Sequence, residues 1–236
     1  MTQLRVSGEG PSAHATRSGR VPRPRLLDAF CCQGGASMGY HLAGFDVTGV
    51  DLAPQPRYPF TFVQADAVAF IREHGADFDF IHASPPCQHD SGCQRIRGNT
   101  HPDLIAPTRT ALEASRRPWV IENVRGALPK LRRPVMLCGP MFGLETYRHR
   151  YFEAGGCFRL PQLPHPAHTA PQAKMGRPVP PGHFGQFIGN FSGVPLARKV
   201  MVVDWMNRDG IRECIPPAYT EWIATQFLAL DGRAAA

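Results

Sequence analysis

The chain has 236 residues, enough for one domain with a substantial core, and its formal net charge of +7 favours a polyanionic partner. Its seven cysteines follow no regular spacing, which argues against a disulfide framework and points to a reducing, cytoplasmic setting. No apolar run reaches the ~18 residues of a membrane helix, and no apolar segment accompanies the N-terminal arginines, so neither a membrane span nor a secretory leader is read.

Residues 1–24 are Ser, Gly, Pro and Arg with almost no apolar pattern, and read as a flexible basic tail. A short buried strand is expected over 26–30, a turn through Cys31-Cys32-Gln33-Gly34-Gly35, and a helix over 36–43 stopped by Gly44. A second strand over 45–51 ends in Asp51, a third spans 60–66, and a helix follows to about residue 74. Residues 78–83 form a fourth strand that runs into Pro85-Pro86-Cys87-Gln88. Residues 88–103 are polar and read as a mobile loop, 107–116 as a helix, and 119–124 as a fifth strand. Strands alternating with helices at this spacing imply an α/β fold with a largely parallel sheet covered on both faces. In such sheets ligands sit at the carboxyl ends of the strands, where Asp51, Asp66, Cys87 and Glu122 all fall. Together, residues 25–152 read as the catalytic, cofactor-binding domain. Residues 153–195, rich in Pro, Gly and His, read as a small irregular insert, and 196–236 as C-terminal helices packing back on the domain.

The side chains on this rim suggest chemistry. A Gly-rich turn followed about 20 residues later by a strand-end acid, Asp51, suits a nucleoside-bearing cofactor. Cys87 follows two prolines and precedes a polar stretch, a better setting for a nucleophile than for a core thiol. Glu122 ends an apolar strand, where a carboxyl is costly unless it is paired or protonated. Either a salt bridge or a hydrogen bond to a substrate ring nitrogen accounts for it. Arg148 and Arg150 alternate and would share one face of a strand, either solvated or pairing with an anion. In the insert, Arg159, Lys174 and Arg177 interleave with Phe158, Phe184, Phe187 and Phe191, a mix that suits phosphate contact with a groove-facing wedge. His165, His168, His183 and Cys157 fit no standard zinc spacing, so no metal site is expected.

In this order the motifs resemble the DNA (cytosine-5) methyltransferase family: Asp28-Ala29-Phe30 with Gly34-Gly35, Gly49-Val50-Asp51, Asp66, Pro86-Cys87-Gln88, Glu122-Asn123-Val124 and Arg148-x-Arg150. The match runs from about Leu26 to Leu230, and its brevity is similar to phage or prophage members. The resemblance implies a Rossmann-like S-adenosylmethionine-dependent methyltransferase sheet with a target-recognition insert. It implies that Phe30, Gly34, Gly35, Leu52 and Pro86 line the S-adenosylmethionine site, with Asp51 on the ribose and Asp66 on the adenine amino group. Cys87 would attack the base, Glu122 would contact the cytosine ring nitrogen and amino group, and Arg150, with Arg148 beside it, would assist. Gln88, Ser91, Arg95 and Arg97 in the loop, and Lys174 and Arg177 in the insert, would contact double-stranded DNA, with Ser91 on a phosphate. A monomer is expected. The sequence departs from the family pattern at Cys32, Thr146 and Arg212-Glu213-Cys214. A tRNA cytosine methyltransferase and a non-catalytic DNA-binding protein on the same scaffold are the rival readings.

Overall fold

The computed structural model describes residues 22–86 and 103–230. Residues 1–21 of the expected basic tail, and Cys87, Gln88, Ser91, Arg95 and Arg97, lie outside the described residues.

Among the described residues seven strands form one sheet in the order β3-β2-β1-β4-β5-β7-β6. The first five in chain order are β1 (Arg25–Ala29), β2 (Asp46–Asp51), β3 (Thr61–Gln64), β4 (Phe80–Ala83) and β5 (Trp119–Asn123), and all are parallel. Two antiparallel strands, β6 (Val135–Leu137) and β7 (Arg150–Gly155), complete the far edge, with β7 inserted beside β5. This places Glu122 opposite Phe152 and Leu137 opposite Arg150.

Strand periodicity divides the core. Leu26, Phe80, Val120 and Phe152 point to one face, packing with α1 (Gly35–Leu42) and the last helix, α6 (Pro217–Leu230). Leu27, Ile81, Trp119 and Ile121 point to the other, beneath α2 (Ala67–His74) and α3 (Ile105–Ser115). Gly39 lets α1 approach α6 closely, since a Cβ there would overlap the Pro217 carbonyl and the Thr220 hydroxyl. At that crossing the Thr220 hydroxyl donates to the Ala36 carbonyl at 2.8 Å.

The expected helical stretch over 196–208 is two helices, α4 (Val194–Met201) and α5 (Arg208–Glu213). They share a third apolar cluster with Phe187 and Phe191, while Phe158 joins the main core against Phe80 and Phe227. The aromatic wedge expected from the insert is thereby corrected. Phe158, Phe187 and Phe191 are buried and hold the segment to the domain, because burying a phenyl ring removes a large apolar area from water.

A bidentate ion pair ties α3 to β7 from behind the sheet. Arg109 donates from Nε and Nη2 to the two Glu153 oxygens, each at 2.7 Å, and Nη2 also donates to the Lys130 carbonyl at 2.7 Å. Glu153 accepts a further 2.8 Å bond from the Arg132 backbone N–H. Both partners are buried, so removing one leaves an uncompensated charge. Glu153→Ala should lower the unfolding free energy by about 3–5 kcal/mol in a denaturant titration, and a loss below about 1 kcal/mol would contradict this account.

Candidate active site

The turn after β1 is tightly wound. Phe30 and Cys32 take left-handed conformations with φ of 63° and 48°, and Gly34 follows at φ 81° before α1 begins. Cys32 therefore occupies a conformation that glycine takes at no steric cost, which is where the sequence departs from its resemblance. The strain is offset locally, since the Cys32 backbone N–H donates to Asp51 Oδ2 at 3.0 Å. Asp51 Oδ1 accepts from the Ala53 N–H, also at 3.0 Å. Strand-end Asp51 is thus held by two backbone donors, one from the turn after β1 and one from the connection after β2. Asp66 caps α2, its Oδ1 accepting from the Ala69 N–H at 2.8 Å. Leu52 is exposed and Phe30 half-buried.

The C-terminal segment covers this turn. Gln33 donates through Nε2 to Asn207 Oδ1 at 2.8 Å, and the Trp205 indole N–H donates to the Gln33 carbonyl at 2.7 Å. Cys32 Sγ lies 3.4 Å from Glu213 Oε2, and burial followed by the charge of Glu213 pushes this thiol up to about 12. Gly35 packs under the same segment: a Cβ there would stand 2.5 Å from Cys214 Sγ and 2.6 Å from the Ile215 carbonyl. The space its missing side chain leaves is taken by the C-terminal segment, and Gly35 also borders the small cavity between the two.

A small cavity between the turn and this cover is lined by Asp28, Phe30, Cys31, Cys32 and Ser84, with Met206 and Cys214 opposite. Asp28 entered the sequence reading only as part of the first motif and was given no role, although a carboxyl inside Leu-Leu-Asp-Ala-Phe was a visible signal. The Ser37 hydroxyl donates to Asp28 Oδ2 at 2.5 Å and lies 2.6 Å from the Tyr58 hydroxyl. Asp28 Oδ1 is buried and has no hydrogen-bond partner among the described residues. Desolvation pushes this carboxyl up to about 7, against the lowering effect of Ser37, with Asp51 and Glu122 adding to the rise. A buried carboxylate oxygen without a donor, in a cavity beside a strand-end acid, suits a ligand bearing positive charge or N–H groups.

On the adjacent strands the two central motifs meet. Asn123 Nδ2 donates to the Pro85 carbonyl at 3.0 Å in a buried contact, tying the turn after β4 to the end of β5. Pro85 is buried and Pro86 exposed. Glu122 is buried at the end of β5, with Arg150 Nε 2.9 Å from its Oε1. That approach is off the hydrogen-bonding direction, so Oε1 accepts no aligned hydrogen bond among the described residues. Desolvation raises the Glu122 carboxyl above its ordinary value, opposed by Arg150, by a hydrogen bond from Ser84 and by Arg148. Ser84 Oγ in turn lies 2.9 Å from His82 Nε2, and His82 Nδ1 lies 3.0 Å from the Tyr40 hydroxyl. Burial lowers His82 to about 3, so this relay carries a neutral imidazole.

Arg148 does not share a strand face with Arg150. It precedes β7 at φ 25°, and its guanidinium donates to the carbonyls of Cys214, Phe187, Ile211 and Arg212 at 2.6–3.0 Å. Its donors are committed to backbone, so its assignment to the catalytic set is corrected to a structural one. Lys174 and Arg177 are exposed in the insert. The metal reading also changes. His165 and His168 gather with Cys138 and His149, and neither His183 nor Cys157 joins them.

No protein-family model and no curated protein matches the chain. Among solved structures it is similar to the Entamoeba histolytica methyltransferase EhMeth, with 11% identity, a TM-score of 0.50, and coverage of 88% of this chain and 98% of that one. It is also similar to the S. pombe Dnmt2 methyltransferase, with 17% identity, a TM-score of 0.41, and coverage of 56% and 49%. A Burkholderia thailandensis 1,6-didemethyltoxoflavin-N1-methyltransferase, solved with bound S-adenosylhomocysteine, gives 20% identity, a TM-score of 0.31, and coverage of 56% and 54%. The aligned region spans about half the length of these last two. With the seven-stranded sheet, the Entamoeba likeness establishes the Rossmann-like methyltransferase fold.

The Asp28 carboxyl predicts a pH signature. Its folded value of about 7 stands above the unfolded 3.8, so the folded state holds a proton that the unfolded state has released between them. This group's contribution to stability therefore declines as pH rises from about 4 to about 7 and is flat above. Asp28→Asn should remove that decline, gaining up to roughly 4 kcal/mol on the parent chain across this window. Parallel pH profiles of unfolding free energy for the two proteins would contradict the assignment.

Proposed function

We propose that the chain transfers a methyl group from S-adenosylmethionine to carbon 5 of a cytosine turned out of double-stranded DNA. The observation that carries this reading is Glu122, a buried carboxyl whose Oε1 has an ion pair to Arg150 but no aligned hydrogen bond among the described residues, steadied also by Ser84, on the same sheet rim as Asp51. A planar base offering a ring nitrogen and an amino group supplies the donors and acceptor such a carboxyl lacks.

S-adenosylmethionine fits the residues present. Asp51, already oriented by two backbone N–H groups, retains lone pairs for ribose hydroxyls. Asp28 would face positive charge, and the free oxygen of Asp66 an amino group. When bound, this cofactor supplies an electrophilic methyl group. The chain's own residues perform the rest. The Cys87 thiolate forms a bond to carbon 6 of cytosine, pushing electron density toward carbon 5 and the ring nitrogen. Glu122 holds the ring nitrogen and amino group by hydrogen bonds, offsetting the charge that develops there. Arg150 keeps Glu122 in place. After methylation, loss of the carbon 5 proton and of the sulfur restores the ring. The base must leave the stack for this chemistry. The net positive charge suits the phosphate backbone, with Lys174 and Arg177 as contacts from the insert.

Labelled S-adenosylmethionine, incubated with duplex DNA and separately with tRNA, tests the substrate. Transfer to DNA is expected, and transfer to tRNA alone would replace the DNA reading. Cys87→Ala should abolish transfer while leaving cofactor affinity unchanged, and Glu122→Gln should lower kcat by about 10²–10³-fold. A duplex containing 5-fluorocytosine should trap the parent chain covalently, and no trapping with full turnover in Cys87→Ala would remove the covalent route. Asp51→Ala should weaken S-adenosylmethionine binding about 10- to 150-fold by calorimetry, and unchanged affinity would refute its ribose role.

A further inference from the structure

Cys138, His149, His165 and His168 bring four potential ligand atoms within 4.8 Å of one another. His149 Nε2 lies 3.2 Å from His165 Nε2, and Cys138 Sγ lies 3.3 Å from His168 Nε2. The three imidazoles face one another, with ring centroids 4.8–5.4 Å apart. Tetrahedral zinc, with bonds of about 2.0–2.1 Å to nitrogen and about 2.3 Å to sulfur, sets its ligands about 3.3–3.7 Å apart. The two observed separations lie at or just below the short end of that spacing. Two isolated hydrogen bonds would account for the pairs, but not for all four atoms lying within 4.8 Å of one another.

We propose that these four side chains bind a structural zinc ion. The ligand set of one thiolate and three neutral imidazoles is closed and suits zinc. On binding, the Cys138 thiol gives its proton to solvent and the sulfur's electron pair forms the bond to the metal. The ligands come from two parts of the chain. Cys138 directly follows β6 and His149 directly precedes β7, whereas His165 and His168 lie in the insert, in a stretch with no helix or strand. The metal would therefore staple the insert to the sheet edge. It would also steady the segment leading to the catalytic rim, since the His149 carbonyl accepts from Arg150 Nη1 at 3.0 Å. His168 is further held by stacking on Tyr147, with centroids 3.6 Å apart and planes at 17°. The spacing C-x10-H-x15-H-x2-H follows no standard zinc pattern, so only the fold reveals it.

This inference does not rest on the methyl-transfer reading, and its test has no activity readout. The full chain is purified without an oligohistidine tag from zinc-supplemented cells and analysed by elemental mass spectrometry. About one zinc per chain is expected, falling below about a tenth in His168→Ala, whose side chain is exposed and whose loss spares the core. Cobalt(II) added to the metal-free chain should give the intense visible absorption of a tetrahedral site and a thiolate charge-transfer band, the latter absent in Cys138→Ser. Removing the metal with a chelator should lower the melting temperature of the parent chain but not of His168→Ala. Either of two results overturns the proposal: a parent chain with less than about a tenth of a zinc and no visible cobalt spectrum, or full zinc retention in both variants.

Discussion

The Arg148 guanidinium is the interaction on which the site's architecture depends. It is buried before β7 and donates to four backbone carbonyls from the insert and from the segment around α5. Burying a guanidinium whose hydrogen bonds go to carbonyls is costly, and desolvation followed by the nearby charge of Arg150 lowers Arg148 to about 10. The cost is met because carbonyls at the ends of irregular segments need donors that no helix or strand provides. One side chain thereby gathers Phe187, Ile211, Arg212 and Cys214 at the start of the edge strand. The Tyr219 hydroxyl completes the joint by donating to the Arg148 carbonyl at 3.0 Å.

From that joint the rest of the rim follows. Once the α5 segment is fixed, Asn207, Trp205 and Cys214 cover the first turn, and Gly35 must be glycine to admit them. Once β7 is fixed beside β5, Arg150 lies against Glu122. The two arginines two residues apart therefore serve different ends, one organising backbone and the other steadying a carboxyl. Their difference comes from the left-handed turn of the chain at Arg148, which breaks the strand alternation that would have placed them side by side.

Asp28 on β1 and Glu122 on β5 are buried carboxyls separated by β4, Asp28 with an oxygen that has no hydrogen-bond partner among the described residues and Glu122 with one held only by the ion pair to Arg150. Proteins seldom keep such groups in a core without use, because each costs stability for as long as it is ionised. Asn123 complements them by using its amide to hold the Pro85 carbonyl, which connects the turn after β4 to the strand bearing Glu122.

The sequence alone determined the layering, because strand and helix periods are local properties of side-chain alternation. Leu26 and Leu27, or Val120 and Ile121, could face only opposite sides of a sheet, and the strand-end positions of Asp51 and Glu122 followed from where those runs stop. The antiparallel edge was not legible. Val135–Leu137 is too short for a period, and β7 is defined by its partners rather than its composition. Nor were the roles of Asp28, Arg148 and Asn123 legible, since each depends on an atom 9 to 66 residues away that happens to be within hydrogen-bond reach. The same holds for the phenylalanines of the insert, whose spacing suits an exposed wedge as well as a core. Only the tertiary structure decided between them, because burial depends on what packs opposite a side chain and not on its neighbours in the chain.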